Sequence, residues 1–144
     1  ERQRRHRLVA IHYEDQGAAL PAARHWQQAN LPEKAVRVIL PVVDDLIQEL
    51  QIKELIDLLH PLEAKRLAPG QWYAVQLLLS DLFQRLGQPE DALAACRQAL
   101  KIAEEAASQA RIYRRMGKLY EKRNRLHALG YYQQAVERFD PEDR

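Results

Sequence analysis

The side chains that could perform chemistry are few in this sequence and stand far apart. Its 144 residues include five histidines but only one cysteine, Cys96. A structural zinc ion usually takes four ligands, and no His-Glu-x-x-His motif or cysteine pair supplies them. His12 and His25 could approach each other across a first helix pair, yet two imidazoles fall short of that number. We therefore predict no metal site and no cofactor.

Nucleophilic and acid–base chemistry also lack a suitable constellation. No histidine lies near Cys96 in sequence, and its helix face is rich in small residues, so we expect a buried, inert thiol. Asp44 and Asp45 are adjacent carboxylates, but neighbouring residues of a helix point about 100° apart, which favours a solvated face. No glycine-rich phosphate-binding loop occurs. The sequence therefore predicts no catalytic residues and a protein that is not an enzyme.

Positive charge is the polar feature with the clearest spacing. Between residues 111 and 125 there are seven basic residues and one acidic residue, Glu121. One interpretation is a merely solvated face, and the other is a site for an acidic peptide, a carboxylate or a phosphate. Five of these cations, here called the basic stripe, fall at helical spacing on one face: Arg111, Arg114, Arg115, Lys118 and Lys122.

Composition limits the class of protein. The chain is 47% apolar and 29% charged, and its net charge of +2 is too small to indicate nucleic-acid binding by itself. No apolar run approaches the ~18 residues of a membrane span, so no membrane partner is predicted. A single cysteine fits a reducing compartment, and we expect a cytoplasmic protein. Because the sequence begins with glutamate rather than methionine, we expect it to be part of a longer protein.

Apolar spacing predicts helices along the whole chain. Apolar residues recur at i, i+3, i+4 and i+7. Residues 72–83 have a strand-like composition, but their apolar pattern is too long for a typical strand, so we predict a helix there as well. Pro41 lies inside the third predicted helix and should kink it near residues 37–41 or divide it in two. A short extra turn is one interpretation of residues 61–69. The eight predicted helices span residues 3–16, 19–29, 32–49, 52–60, 70–86, 89–106, 108–123 and 126–139.

A self-comparison shows one helix-pair pattern that recurs along the chain. Small residues at equivalent positions of the first helices, Ala10, Asp44, Ser80 and Gly117, are 34, 36 and 37 residues apart. A glycine inside a helix costs about 1 kcal/mol relative to alanine, so Gly117 indicates that two helices cross closely there. The residues that carry the pattern are Leu79, Phe83, Gly87, Ala92, Cys96 and Ala99 in one pair, Tyr113, Tyr120, Asn124 in place of the turn glycine, Ala128, Tyr132 and Ala135 in the next, and Tyr13, Gly17, Ala22, Trp26 and Ala29 in the first.

This pattern resembles the tetratricopeptide repeat over nearly the whole chain. The resemblance implies an all-α fold, a right-handed superhelix of antiparallel helix pairs (an α-solenoid), as a single domain over residues 1–144. The register of the first half is open, because residues 32–35 echo residues 89–92, so residues 32–49 fit either member of a pair. The implied pairs are residues 3–29, 32–60, 70–106 and 108–139.

The same resemblance implies where a partner would bind. In a tetratricopeptide array the first helix of each pair lines the concave groove, which places the basic stripe in or beside that groove. The neighbouring first helix would contribute two further polar residues. We therefore predict these partner-binding residues: Gln84, Arg85, Arg111, Arg114, Lys118 and Lys122.

A second resemblance covers residues 5–36. They are similar to the start of the helical-repeat region in large STAND-type signalling ATPases and transcription activators, where such stretches follow the nucleotide-binding and winged-helix domains. The resemblance implies a sensor or regulatory segment whose nucleotide site lies outside these residues. The matching residues are His6, Arg7, Ala10, Tyr13, Glu14, Gly17, Ala22, His25, Trp26 and Ala29.

The leading hypothesis is a non-enzymatic interaction or scaffold module that binds an acidic peptide, another protein or an adjacent domain of its parent protein in the concave groove. One alternative is nucleic-acid or phosphate binding through residues 111–125, which would require several phosphate contacts and a steep salt dependence. Another is self-association, because an array without polar caps exposes an end for stacking. The residues expected at that end are Tyr131, Tyr132 and Phe139.

Overall fold

A computed structural model describes residues 1–139 of the chain. The described residues are all-α and contain no strand, which confirms the predicted fold class, while the handed superhelix stays a prediction. None of the described helices is both long and apolar enough to cross a membrane. The α-helices are α1 (Arg2–Asp15), α2 (Ala19–Gln28), α3 (Pro32–Ile39), α4 (Val43–Gln48), α5 (Ile52–Leu59), α6 (Pro69–Arg85), α7 (Pro89–Ile102), α8 (Ala106–Tyr120) and α9 (Arg125–Glu137).

The chain divides into two compact units. The first comprises Glu1–Val75 and the second begins at Gln76, so the division falls within α6. The first unit contains α1 to α5, and the second contains α7, α8 and α9. The assignment of the whole chain to a single domain stays a prediction.

Pro41 divides the third predicted helix in two, as the sequence indicated. A 3₁₀ turn covers Leu40–Val42 between α3 and α4. Proline lacks an N–H group and its ring meets the preceding helical turn, so a regular α-helix cannot continue through it. A second 3₁₀ turn, Ala64–Arg66, is the short extra turn before α6. The break at Pro41 explains why the described residues form nine α-helices rather than eight.

The predicted bounds of two helices, residues 89–106 and 108–123, are wrong. In the structure α7 ends at Ile102, and α8 begins at Ala106 and ends at Tyr120. Ala103 leaves the helical conformation with φ −76° and ψ 105°. The Gln109 side chain donates a hydrogen bond to the Ala103 carbonyl at 2.8 Å. Alanine and glutamate are helix formers, so the residue types around this break did not reveal it.

Four helices end in the same backbone motif. A residue in the left-handed region follows the helix, and the next amide donates to the carbonyl five residues earlier at 2.9–3.0 Å. This is the Schellman arrangement, which satisfies carbonyls that the helix leaves unpaired. The next helix begins two residues after the left-handed residue, so each motif is a short connection between consecutive helices. The left-handed residues are Gly17 (φ 73°), Asn30 (φ 65°), Leu50 (φ 60°) and Gly87 (φ 71°).

Helix α2 is the centre of the first unit, and it contacts α1, α3 and α5. Trp26 is 3% exposed, and its indole N–H donates to Glu14 Oε2 at 2.7 Å. The Lys34 ammonium lies 4.6 Å from the centre of the same ring. Gln27 Nε2 donates to the Leu58 carbonyl at 2.6 Å, which ties α2 to α5. Trp26 is therefore a core residue whose single polar atom is satisfied.

In the second unit, α7 packs against the helices on both sides of it. Ser80 Oγ lies 3.1 Å from Cys96 Sγ, which joins α6 to α7. The Arg123 guanidinium, just after α8, lies 2.6 Å from Glu90 Oε1 at the start of α7. The connections between these helices are short, so each neighbour runs antiparallel to α7. Helices α6 and α8 consequently run parallel to each other.

Small residues mark the close contacts, as the repeat pattern predicted for most of them. Ala10, Ser80 and Gly117 are buried, whereas Asp44 is exposed, so the weak match in residues 37–60 has no close contact at that point. A Cβ atom on Gly117 would lie 2.8 Å from Tyr132 Cε1. Glycine therefore allows α9 to place a tyrosine ring directly on the backbone of α8.

Asn124 does not take the role of a turn glycine, and that prediction is wrong. Its φ is −154°, an extended conformation. Its side-chain oxygen accepts hydrogen bonds from the amides of Leu126 and His127 at 3.1 and 3.2 Å. Asn124 is therefore the N-cap of α9. Asparagine suits both left-handed turns and N-caps, so its type alone did not distinguish them.

Candidate functional site

Helix α8 carries the basic stripe on its outer face. All five cations are exposed, and the last of them, Lys122, stands in the turn just after the helix. The opposite face contains the buried residues Ile112, Met116 and Leu119. Because buried and charged residues alternate with the helical period, packing on α7 and α9 forces the cations outward.

The other two predicted partner-binding residues, Gln84 and Arg85, are exposed near the end of α6. Arg115 donates to the Leu77 carbonyl at 3.4 Å, which places α8 beside α6. Since the two helices run parallel, the end of α6 lies level with the end of α8, where Lys122 stands. The first helices of these two pairs thus share one surface of the unit. The concave shape that the resemblance implies for this surface stays a prediction.

Several cations of the second unit already have partners. Arg85 pairs with Asp81 at 3.0 Å along α6, and Arg123 pairs with Glu90. Among residues 1–139, by contrast, Arg114, Lys118 and Lys122 form no ion pair with a carboxylate. These three charges are consequently available to a ligand.

An aromatic row closes one side of the seam between α8 and α9. Tyr131 stacks between Tyr113 and Tyr120, with ring centres 6.3 and 5.3 Å away. The Arg138 guanidinium lies 4.7 Å from the centre of the Tyr113 ring and donates to Gln109 Oε1 at 3.0 Å. These contacts join the end of α9 to the start of α8. These side chains therefore pack the two helices together along this side.

The other side of the seam is an open groove of ≈ 360 Å³, here called the α8–α9 groove. Its floor is apolar, and Arg111 and Arg114 stand on its α8 rim. Burial, followed by the nearby Glu121 carboxylate, raises the pKa of the Tyr132 hydroxyl, so this wall of the groove carries no negative charge at neutral pH. The lining residues are Ala107, Ala110, Arg111, Arg114, Tyr132, Ala135, Val136 and Phe139.

The exposed end proposed for self-association needs a correction. Tyr131 and Tyr132 are half-buried against α8, whereas Phe139 is 51% exposed. The large apolar side chains that α9 exposes are instead Leu126, Leu129 and Val136. Leucine and valine at helical spacing are typical of a core face, so their pattern does not predict that these side chains face outward.

The residues considered for chemistry lie apart in the structure. Cys96 is fully buried, and burial raises the pKa of its thiol, so little of the reactive thiolate forms. Asp44 and Asp45 are both exposed. Among the described residues, no cluster of three or more His, Cys, Asp or Glu side chains is placed to hold a metal ion.

The partner of His25 is not His12. His6 Nδ1 lies 2.9 Å from His25 Nδ1, and the Tyr13 ring stacks on His25 with centres 5.6 Å apart. One imidazole must donate and the other accept, so the bond is lost when both are protonated. Burial, followed by the charge of His6, lowers the pKa of His25.

Comparison with known proteins adds no family to these observations. No family model matches the chain, and no curated protein matches it significantly. The tetratricopeptide and STAND-type resemblances therefore stay predictions, and the site rests on the residues of this chain.

Proposed function

We propose that this chain is a non-enzymatic protein–protein interaction module that binds an acidic peptide or an acidic segment of a neighbouring domain. The observation that carries the proposal is the availability of Arg114, Lys118 and Lys122, which have no carboxylate partner among the described residues. The resemblances of the sequence to tetratricopeptide repeats and to STAND-type proteins favour a wider role. They indicate a tetratricopeptide-like sensor or regulatory segment of a larger, cytoplasmic signalling protein.

The packing of α8 favours binding over mere solvation. The helix is held by Ile112 and Met116 on its buried face and by the Tyr132 ring on Gly117. The packed helix sets the spacing between the cations, so its backbone need not be ordered when a ligand binds. Guanidinium groups also form paired, charge-assisted hydrogen bonds with carboxylates. A row of such groups therefore suits an acidic peptide.

The test is to reverse two charges of the basic stripe, Arg114→Glu together with Lys118→Glu. The probe is a fluorescein-labelled peptide of Glu, Ser and Gly, and binding is measured by anisotropy in about 50 mM salt, where surface charges are weakly screened. Losing each attraction and gaining a repulsion is worth about 0.7 kcal/mol per site. The two changes together should weaken binding about tenfold.

The matched control is Arg97→Glu with Lys101→Glu. These residues are exposed on α7, have the same i, i+4 spacing and undergo the same change in net charge. The control should alter affinity less than about twofold. Equal effects of the two pairs would show that the peptide responds only to net charge. Tighter binding of a DNA duplex than of the peptide would favour the nucleic-acid alternative, and either result overturns the proposal.

A further inference from the structure

The α8–α9 groove has a shape and a lining that the basic stripe alone does not explain. Three of the residues that line it are alanines, and the Val136 side chain, which also lines it, is 73% exposed. Its α8 side runs from Ala107 to Arg114, a rise of about 10 Å or two helical turns. Small residues along a helix allow another helix backbone to approach closely. The groove therefore has the length and the walls to accept two turns of a third helix.

We propose that this groove binds an amphipathic α-helix of a partner protein, whose apolar ridge is flanked by carboxylates. The inference rests on the proposed function and names the form of its acidic ligand. The apolar ridge would cover Val136 and Phe139, and the carboxylates would meet Arg114 on the rim and Lys118 one turn further along α8. Arg114 and Lys118 are four residues apart, so acids at i and i+3 or i+4 of the docked helix match them.

A helix suits this surface better than an extended peptide. An extended segment leaves its N–H and C=O groups needing partners, and the groove is lined by helices whose backbone groups are already paired. A helix satisfies its own backbone and presents apolar residues at i, i+4 and i+7. Apolar contact then supplies binding energy, and the two cations select the sign of the partner's charge.

Charge also argues against a second copy of the chain as the occupant. The first helix exposes Leu8 and Ile11, which would be an apolar ridge for such a contact. Arg4 and Arg7 line the same surface of α1. Two basic surfaces repel each other, so stacking of this end on the α8–α9 groove is disfavoured.

The probe is a stapled helix of about 16 residues, since unstapled helices of that length are marginal in water. It carries leucines at i, i+4 and i+7 with glutamates beside them, and its binding is followed by anisotropy. Two peptides serve as comparisons: the same helix with lysine for glutamate, and a scrambled, unstapled peptide of the same composition. The acidic helix should bind at least about tenfold more tightly than either.

Val136→Glu places a like charge in the groove and should weaken binding of the acidic helix about tenfold. Leu129→Glu is the matched control, because Leu129 is also exposed on α9 but does not line the groove. It should leave affinity unchanged, and Val136→Arg should bind the acidic helix at least as tightly as the parent. Circular dichroism establishes that each variant folds.

Each other outcome overturns the inference in a distinguishable way. If the scrambled acidic peptide binds as tightly as the stapled helix, the proposed function stands but the ligand need not be helical. If neither acidic peptide binds, both the proposed function and this inference are wrong. Sedimentation that shows self-association, abolished by Val136→Glu, would make a second copy the occupant. Equal effects of Val136→Glu and Leu129→Glu would place the contact elsewhere.

Discussion

Gly117→Ala should destabilise the protein, although alanine is the better helix former. The added Cβ would lie 2.8, 2.9 and 3.0 Å from three carbons of the Tyr132 ring. Carbon atoms prefer a separation of about 3.5–4.0 Å, so the ring or the helix must move by more than half an ångström. Overpacking of this kind costs about 1–3 kcal/mol, against a gain of about 1 kcal/mol in helix propensity. We expect a net loss of about 1 kcal/mol.

Gly130→Ala is the matched control for this substitution. Gly130 lies inside α9, and a Cβ there would meet no atom within 4 Å. This change should therefore gain the full propensity term of about 1 kcal/mol. Urea unfolding followed by circular dichroism measures both variants. The difference between the two glycine-to-alanine substitutions should be about 2 kcal/mol.

A double-mutant cycle separates the clash from any other effect. In a Tyr132→Ala background the ring is gone, so Gly117→Ala should become stabilising by about 1 kcal/mol. If Gly117→Ala stabilises the parent chain as much as Gly130→Ala does, the Tyr132 ring does not pack on Gly117 and the close contact between α8 and α9 is refuted.

Three further predictions follow from the helix ends and the histidine pair. Leu50→Gly should raise the free energy of unfolding by about 1 kcal/mol, because Leu50 is left-handed and 83% exposed; urea titration should show a smaller gain for Asn30→Gly, since asparagine tolerates that region. Asn124→Ala should cost about 1 kcal/mol by removing the N-cap of α9, and Asn124→Asp should not; equal losses would refute the cap. The lowered pKa of His25 means that the unfolded chain binds its proton more readily, so stability present above pH 6.5 should be lost as the pH falls below it. His25→Asn should reduce the change in melting temperature between about pH 7 and pH 5. The same change in the variant as in the parent protein would contradict a role for His25.

Local sequence signals predicted much of the helical architecture because they act over a few residues. A proline inside a helix interrupts its hydrogen bonds, as Pro41 does here. Gly17 and Gly87 supply the left-handed residue that ends a helix in the Schellman motif. Leu50 takes the same conformation without any signal in its type. There, the Leu50 and Gln51 amides donate to the Ile47 and Leu46 carbonyls, so the bonds that close the end of α4 accompany a conformation that leucine seldom adopts. The boundary at Ala103 was missed for a related reason, because its stabilising hydrogen bond comes from a side chain six residues away.

The sequence likewise predicts the features of the candidate site that depend on local spacing, but not those that depend on tertiary contacts. Spacing alone placed the cations of α8 on one face, and the structure exposes all of them. Which of them lack a carboxylate partner depends on tertiary contacts such as the one between Arg123 and Glu90. The groove beside Val136 also depends on how α9 lies on α8, since an exposed valine at helical spacing has the same pattern as a buried one.

The most direct test of the account is to map the bound peptide onto the chain. Amide chemical shifts of the ¹⁵N-labelled protein are recorded while the stapled acidic helix is added. We expect the perturbed amides to cluster around Ala110, Arg114 and Val136, which line the α8–α9 groove. Perturbations centred on α7, or on the first unit, would contradict it.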